Sequence, residues 1–409
     1  MEEWNEYKLI DVLDALIDYR GKTPKKTTSG IPLITAKIIK NGRIDTPTEF
    51  IACEDYNSWM VRGFPEVGDV VLTTEAPLGE VAQLKSKNVA LAQRVVTLRG
   101  RKEVLDNTYL KYFFLSHDGH QRLVAKETGT TVTGIKQAEL REILISCPSY
   151  RVQRQIATIL SSLDDKIDCN RRINDNLEQQ AQALFKSWFV DFEPFKDGEF
   201  VESELGMIPK GWKVGLLSEI GEIVGGSTPS KAKSQYYTSN GIPWLTPKDL
   251  SNSPCKFTAK GEIDITKEGY ASCSTKIMPK GTVLFSSRAP IGYVSIAKNE
   301  ICTNQGFKSV VPKEAGTAFI YYFLKTSTKD IENKATGSTF KEASGALMKS
   351  LPTIIPTKSV LYGFEQIMEP IFRKQETIED ESRRLAQLRD TLLPRLMSGE
   401  LKVNEIEKV

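Results

Sequence analysis

The chain has 409 residues, with 55 Lys and Arg against 52 Asp and Glu, for a formal net charge of +3. That length makes two to three domains the expectation, each able to bury its own core, and so small a charge does not by itself announce a polyanion partner. No apolar run approaches the roughly 20 residues needed to cross a bilayer, and Met1-Glu2-Glu3-Trp4 lacks the basic-then-apolar start of a signal peptide, so a cytoplasmic location is expected.

The six cysteines, Cys53, Cys147, Cys169, Cys255, Cys273 and Cys302, form no C-x-x-C pair and are expected to be reduced and mostly buried. His117 and His120 have H-x-x-H spacing without further ligand types, which fits a helix end better than a metal site.

In chain order, residues 1–150 mix short β-rich runs with turns. Val70-Val71-Leu72, Val81-Ala82-Gln83-Leu84 and Arg94-Val95-Val96-Thr97-Leu98 read as strands, punctuated by Gly68-Asp69, Pro77-Leu78-Gly79 and Gly100. Over residues 151–190 the period changes. Ile156, Leu160, Leu163, Ile167, Asn170, Asn174, Leu177, Ala181, Leu184 and Trp188 follow alternating 4 and 3 spacing, a coiled-coil stripe in which Asn170 and Asn174 would fix register at a cost in stability. Such a helix would span roughly 50 Å. Asp191-Phe192-Glu193-Pro194-Phe195-Lys196-Asp197-Gly198 ends it with Pro and Gly.

The next part, residues 191–357, repeats the first. Gly30-Ile31-Pro32-Leu33-Ile34-Thr35-Ala36-Lys37 returns as Gly241-Ile242-Pro243-Trp244-Leu245-Thr246-Pro247-Lys248, 211 positions on. Gly68 to Gly79 returns as Gly281 to Gly292, and Thr128-Gly129-Thr130-Thr131 as Thr336-Gly337-Ser338-Thr339. The 211 offset carries the helical stripe to Ile367, Ile371, Lys374, Ile378, Glu381, Leu385, Leu388, Leu392, Arg395 and Gly399, so residues 358–399 read as a second long helix, with Pro394 and Ser398-Gly399 marking its exit and 400–409 a tail. Self-similarity at half the chain length points to duplication of one two-part unit. A pseudo-two-fold relation would pack the two stripes antiparallel, and the resulting α/β protein has two globular parts separated by two helices.

Catalytic signatures are missing. There is no G-x-x-x-x-G-K-[ST], no G-x-G-x-x-G and no Asn-Pro-Pro-Tyr of an amino-methyltransferase. Asp330-Ile331-Glu332-Asn333-Lys334 has the residue types of a nuclease site, but on a polar stretch with no partner in the other half. Arg20-Gly21-Lys22-Thr23-Pro24 and Gly225-Gly226-Ser227-Thr228-Pro229 could form anion-binding nests, although a helix exit and turn is the commoner reading.

Taken in order, Gly225-Gly226-Ser227-Thr228-Pro229, Gly241-Ile242-Pro243-Trp244, Arg288-Ala289-Pro290-Ile291-Gly292, Asn304-Gln305-Gly306-Phe307 and Thr336-Gly337-Ser338-Thr339 resemble the target recognition domain of type I restriction-modification specificity subunits. Leu184-Phe185-Lys186-Ser187-Trp188-Phe189-Val190-Asp191-Phe192-Glu193-Pro194 resembles that family's central helical region. The resemblance implies two α/β target recognition domains, each gripping one half of a bipartite DNA sequence, held apart by two antiparallel helices. It also implies that two modification subunits dock on the helices and methylate adenine, and that restriction subunits join to translocate and cleave DNA. On that footing this chain is non-catalytic and binds no cofactor, while S-adenosylmethionine, ATP and Mg belong to partner subunits. The first domain departs from the pattern, with Glu75 where the second has Arg288 and Arg20-Gly21 where the second has Gly225-Gly226.

Segments common to both halves are expected to hold the fold, and base discrimination to sit where the halves differ. Lys and Arg count 20 against 20 acids over residues 1–150 but 19 against 13 over 201–355, so any DNA surface must be a local patch. Phosphate grip needs Lys, Arg, Ser, Thr and backbone N–H groups. The candidates are Lys22, Lys25, Lys26, Lys37, Thr130, Thr131 and Lys136 in the first domain, and Ser227, Lys231, Lys233, Lys248, Ser338, Thr339 and Lys341 in the second. For base edges the expected readers are Gln93 and Arg94, then Arg288, Gln305 and Lys308, since Arg and Gln can make bidentate contacts in the major groove. The competing reading is a coiled-coil adaptor whose globular parts bind proteins.

Overall fold

In the computed structural model, residues 4–19, 23–129, 133–337 and 341–403 are described. The chain folds as two compact units, Met1–Asp168 with Arg383–Val409, and Cys169–Ser382. Two 40-residue helices, Tyr150–Phe189 and Lys358–Met397, each contribute a portion to both units.

Unit one is built on an antiparallel sheet in the order Leu13–Asp18, Val95–Gly100, Val70–Thr74, Leu78–Gln83. The period-2 alternation of a strand decides what each face meets. Val70, Leu72, Val96 and Leu98 face the helices Asn107–Leu115 and His117–Val124, together with Ile156, Leu160 and Leu396 of the long helices. Val71, Ala82 and Val95 face a second core with Leu33, Ile34 and Leu91. The two short helices are separate because Ser116 caps the second one, accepting from Gly119 N at 3.1 Å. Gly119 is required there: a Cβ would lie 1.9 Å from the Phe113 carbonyl oxygen.

Unit two repeats the sheet as Gly221–Gly225, Lys308–Pro312, Val283–Ser287, Ile291–Ala297, and adds Phe257–Thr258, paired parallel at the edge. One continuous helix, Gly316–Lys334, replaces the two short ones. Its Phe319 and Tyr322 pack with Phe185, Phe189 and Phe364 of the long helices, and Phe189 meets Phe319 edge-on at 4.9 Å between ring centroids.

The central hairpins superpose in detail. In unit one Thr73 Oγ1 donates to Pro77 O (2.6 Å) and accepts from Glu80 N (2.9 Å). In unit two Ser286 Oγ donates to Pro290 O (2.8 Å) and accepts from Tyr293 N (2.8 Å). Ala76 and Ala289 take matching left-handed backbone angles, φ 48° and 51°. One sequence pattern thus folds twice into one turn.

Within each unit the long helices run antiparallel. Asp164 meets Arg389 in unit one (2.8 Å), and in unit two Asn170 donates to Glu381 Oε2 (2.8 Å) while Gln375 donates to Glu178 (3.3 Å). Along the first helix Ile156, Leu160 and Ala181 are buried, Leu163, Ile167, Asn174, Leu177, Leu184 and Trp188 are half-buried, and Asn170 is 1% exposed.

The second stripe needs a correction. Ile371, Ile378, Leu385 and Leu392 lie at or beside the contact, but Ile367 and Leu388 are 40% and 47% exposed. The buried face runs instead through Leu361, Phe364, Met368, Gln375, Ile378 and Leu396. At alternate turns the offset lands one residue early, a rotation of about 100° at 3.6 residues per turn. Pro394 lies within the helix, which continues to Met397 and ends at Gly399 with φ 74°.

The cysteines are all free, but only Cys147 and Cys302 are buried; Cys53 is exposed and the other three are half-buried. Among the described residues no helix is long and apolar enough to cross a membrane, and no cluster of metal-ligand types occurs.

Candidate nucleic-acid interface

Unit two carries an open cleft of about 750 Å³, and the local folding rules that build it are visible residue by residue. Gly225-Gly226 leaves a strand, not a helix. Gly226 is needed because a Cβ would lie 2.1 Å from Asn304 O, and Ser227 N donates to Thr303 O (3.0 Å), so this backbone is strand-like and no anion nest. Trp244 Nε1 donates to Ser227 O (3.1 Å), fixing the loop against the buried indole. The helix Pro247–Asn252 starts at a capping box, in which Asp249 accepts from Thr246 N and Thr246 Oγ1, both at 2.7 Å. That cap presents Lys248 in the first turn, exposed on the cleft wall.

The cleft gathers Lys231, Lys248, Arg288 and Gln305 from the sequence-based candidates. Thr228 Oγ1 donates to Gln305 Oε1 on its rim. Sequence reasoning missed Tyr237, Trp244, Thr246 and Asn304, which line the same space. The Gly-Ile-Pro-Trp motif was a signal for Trp244; nothing local marked Tyr237, whose hydroxyl donates to Pro229 O (2.6 Å).

Other candidates lie elsewhere. Lys308, mostly buried, donates to Glu342 Oε1 (3.1 Å), and Arg288 lies 3.6 Å from the same carboxylate. Lys308 therefore holds a carboxylate and is not aimed outward as a base reader. Lys233 donates to Tyr236 Oη (3.1 Å), and Lys341 to Glu332 O (3.3 Å). Ser338 and Thr339 lie outside the described residues.

Unit one has a smaller concavity, which Lys37, Glu75, Gln93 and Arg94 do not line, so it is not the counterpart of the cleft in unit two. Lys25 lines this concavity of about 170 Å³ with Thr23, Pro24, Ile51, Asp55, Ser58 and Trp59. Thr23 Oγ1 donates to Gln93 Oε1 (3.1 Å), the counterpart of the Thr228–Gln305 pair. Lys37 sits on a single 3₁₀ turn, Ala36–Ile38, because Ile38 occupies the place of the capping Asp249. Lys26 pairs with Glu49 (2.9 Å), Arg94 pairs with Glu75 (2.8 Å), and Lys136 is exposed before the helix Gln137–Arg141. Lys22, Thr130 and Thr131 lie outside the described residues.

In each unit the helix packed on the sheet is tied to the long helices through a largely buried polar joint. In unit one Asp164 accepts from Tyr112 Oη (2.6 Å), Lys111 Nζ (3.2 Å) and Arg389 (2.8 Å). In unit two Glu178 accepts from Lys256 Nζ (2.8 Å), Tyr322 Oη (2.9 Å) and Lys325 Nζ (2.6 Å). Burial opposes ionisation of Glu178, but Lys256 and Lys325 outweigh it and hold the carboxyl at about 2. Burial lowers Lys256 to about 8 despite Glu178, and the ammonium is cradled by Phe372, Tyr321 and Tyr322, 3.9 to 4.9 Å from the ring centroids. Sequence reasoning missed both joints.

A duplicated α/β framework with cationic, aromatic-lined concavities defines a class of binding protein. The family model described as type I restriction modification DNA specificity domain matches residues 1–179 and 209–388. The chain belongs to that family, and is a non-catalytic DNA specificity subunit of a type I restriction-modification system. It is 41% identical over 191 residues to the MjaIX specificity subunit of Methanocaldococcus jannaschii, an alignment covering 44% of each chain. It is 26% identical to the HindI specificity subunit of Haemophilus influenzae, across 98% of this chain and 100% of that one. The type I S subunit from M. genitalium shares the fold at TM-score 0.59 and 17% identity, over 97% of this chain and 96% of that one.

Proposed function

We propose that each unit grips one half of a bipartite duplex DNA target, with bases read from the corner formed by the hairpin turn, the strand-exit loop and the Gln93 or Gln305 segment. The observation that supports this most is the convergence of Thr228, Lys231, Lys248, Arg288 and Gln305, drawn from four separate stretches of chain, on one open cleft. Lys231 and Lys248 serve phosphates, while Arg288 and Gln305 address base edges in the major groove. In unit one Lys25 and Lys37 take the phosphate role beside Gln93 and Arg94. Lys22, Thr130, Thr131, Ser338 and Thr339 belong to the same phosphate set by sequence position.

On this reading the long helices dock two modification subunits that bind S-adenosylmethionine and methylate adenine, and restriction subunits using ATP and Mg join that core. The test is affinity for random duplex DNA at two salt concentrations, with the chain in complex with its modification subunit. Phosphate neutralisation makes log K fall with log salt, by about 0.9 per phosphate contacted. A flat response overturns DNA binding and leaves a protein adaptor in its place.

A further inference from the structure

Glu75 is absent from the candidates above, yet it stands at the position of Arg288 on a turn of the same construction. Thr74 N donates to Arg94 O (2.9 Å), and Ser287 N donates to Gly306 O (2.7 Å), so the two corners are framed by the same backbone bonds. In unit two Arg288 leaves this turn into the cleft beside Gln305. In unit one Glu75 leaves it to meet Arg94 Nε at 2.8 Å, and both side chains stay well exposed, 37% and 48%. The ion pair is rewired around one corner. Unit one has Glu75, Arg94 and Gly134 where unit two has Arg288, Gly306 and Glu342, and Glu75 bridges Gly134 directly.

Exposed ion pairs of this kind contribute little stability, a median of about 0 to 1 kcal/mol. A carboxylate facing a polyanion also opposes binding to every sequence alike. It is repaid only by a base edge that offers hydrogen-bond donors, which in the major groove means cytosine N4 or adenine N6. Arg288 can satisfy only acceptors, such as guanine O6 and N7.

We infer that Glu75 is a specificity-determining residue of unit one, reading a donor-bearing base edge, cytosine N4 or adenine N6, at the position where unit two uses Arg288 to read an acceptor. Arg94 holds the carboxylate in place and supplies the neighbouring donor. This rests on the DNA-reading role proposed above.

The test is selection of duplexes from a randomised pool by the full chain with its modification subunit, comparing the unaltered protein with Glu75→Gln, Glu75→Ala and Arg94→Gln. Glu75→Ala is expected to lose about tenfold of the preference at one base pair of one half-site, leaving the other half-site unchanged. Glu75→Gln, which keeps an acceptor but adds a donor, is expected to tolerate the opposite purine or pyrimidine there. If the enriched sequence is unaltered while affinity for all DNA rises uniformly, Glu75 is only an electrostatic brake and the inference fails. Arg94→Gln, which frees the carboxylate, is expected to weaken the same preference; if it does so while Glu75→Ala leaves the preference intact, the reader is Arg94 and the inference likewise fails. An unaltered protein that enriches nothing would instead overturn the DNA-reading role itself.

Discussion

The two units keep their shape and exchange their charges. In the buried joint of unit one the acid is Asp164 of the first long helix, with Arg389 of the second beside it. In unit two the acid is Glu178, and Gln375 of the second helix completes the shell of Lys256 (2.8 Å). Under the 211 offset Asp164 corresponds to Gln375 and Glu178 to Arg389, so the charged positions have traded roles while Tyr112 and Tyr322 keep theirs. The exposed corner does the same, with Glu75 set against Arg288. A buried joint needs one satisfied acid and accepts its cations from any nearby element, so Lys111 comes from a helix and Lys256 from the approach to an edge strand. Duplication preserves backbone geometry more strictly than it preserves the direction of an ion pair.

The comparison breaks most sharply at Glu178. Glu178→Ala leaves the buried Lys256 ammonium without its carboxylate, and truncating one member of a buried pair costs about 3 to 5 kcal/mol. Urea unfolding should show a loss of that size, and cleavage by protease should fall on unit two while unit one stays protected. A loss below 1 kcal/mol would mean that Tyr322, Gln375 and the three aromatic rings suffice to hold Lys256.

Acid sharpens the same point with a sign. Glu178 titrates near 2 in the folded chain against 4.5 for a free side chain, so on acidification the unfolded chain takes up this proton first. Its contribution is fully present above about pH 4.5 and is lost as pH falls towards 2. Glu178→Gln should therefore flatten the urea midpoint across that window relative to the unaltered chain. An unchanged pH profile would remove Glu178 from the joint's energetics.

Much of this architecture was legible in sequence. The 4 and 3 spacing from Ile156 predicts the first long helix, and Gly68-Asp69 with Pro77-Leu78-Gly79 brackets the hairpin, because local turns and periodicity carry their own signal. The second stripe was displaced at Ile367 and Leu388 because an offset transfers position but not the rotation that packing selects. The joints were illegible for a different reason: Lys111 and Asp164 are 53 residues apart and Glu178 and Lys256 are 78 apart, and no local pattern joins them. The cleft was half legible. Two of its cations, Lys248 and Arg288, stand in the repeated motifs, whereas the pairing of Lys308 with Glu342, which removes a candidate base reader, is a tertiary fact.

The smallest expected effect falls on the exposed corner, where Arg288 and Glu342 are 3.6 Å apart and solvent shares the contact. Because exposed pairs contribute so little, Arg288→Ala should leave folding within about 1 kcal/mol of the unaltered chain. Its effect should appear in recognition: a loss of about 1 to 3 kcal/mol on the half-site read by unit two, with relaxed preference at one base pair. Uniform weakening on all sequences, with a salt slope reduced by about 1, would reassign Arg288 to a phosphate. Since Glu342 also holds Lys308, removing the arginine leaves that carboxylate paired, so a change in specificity cannot be traced to an orphaned acid. That makes the arginine a cleaner probe of its corner than Glu342 would be.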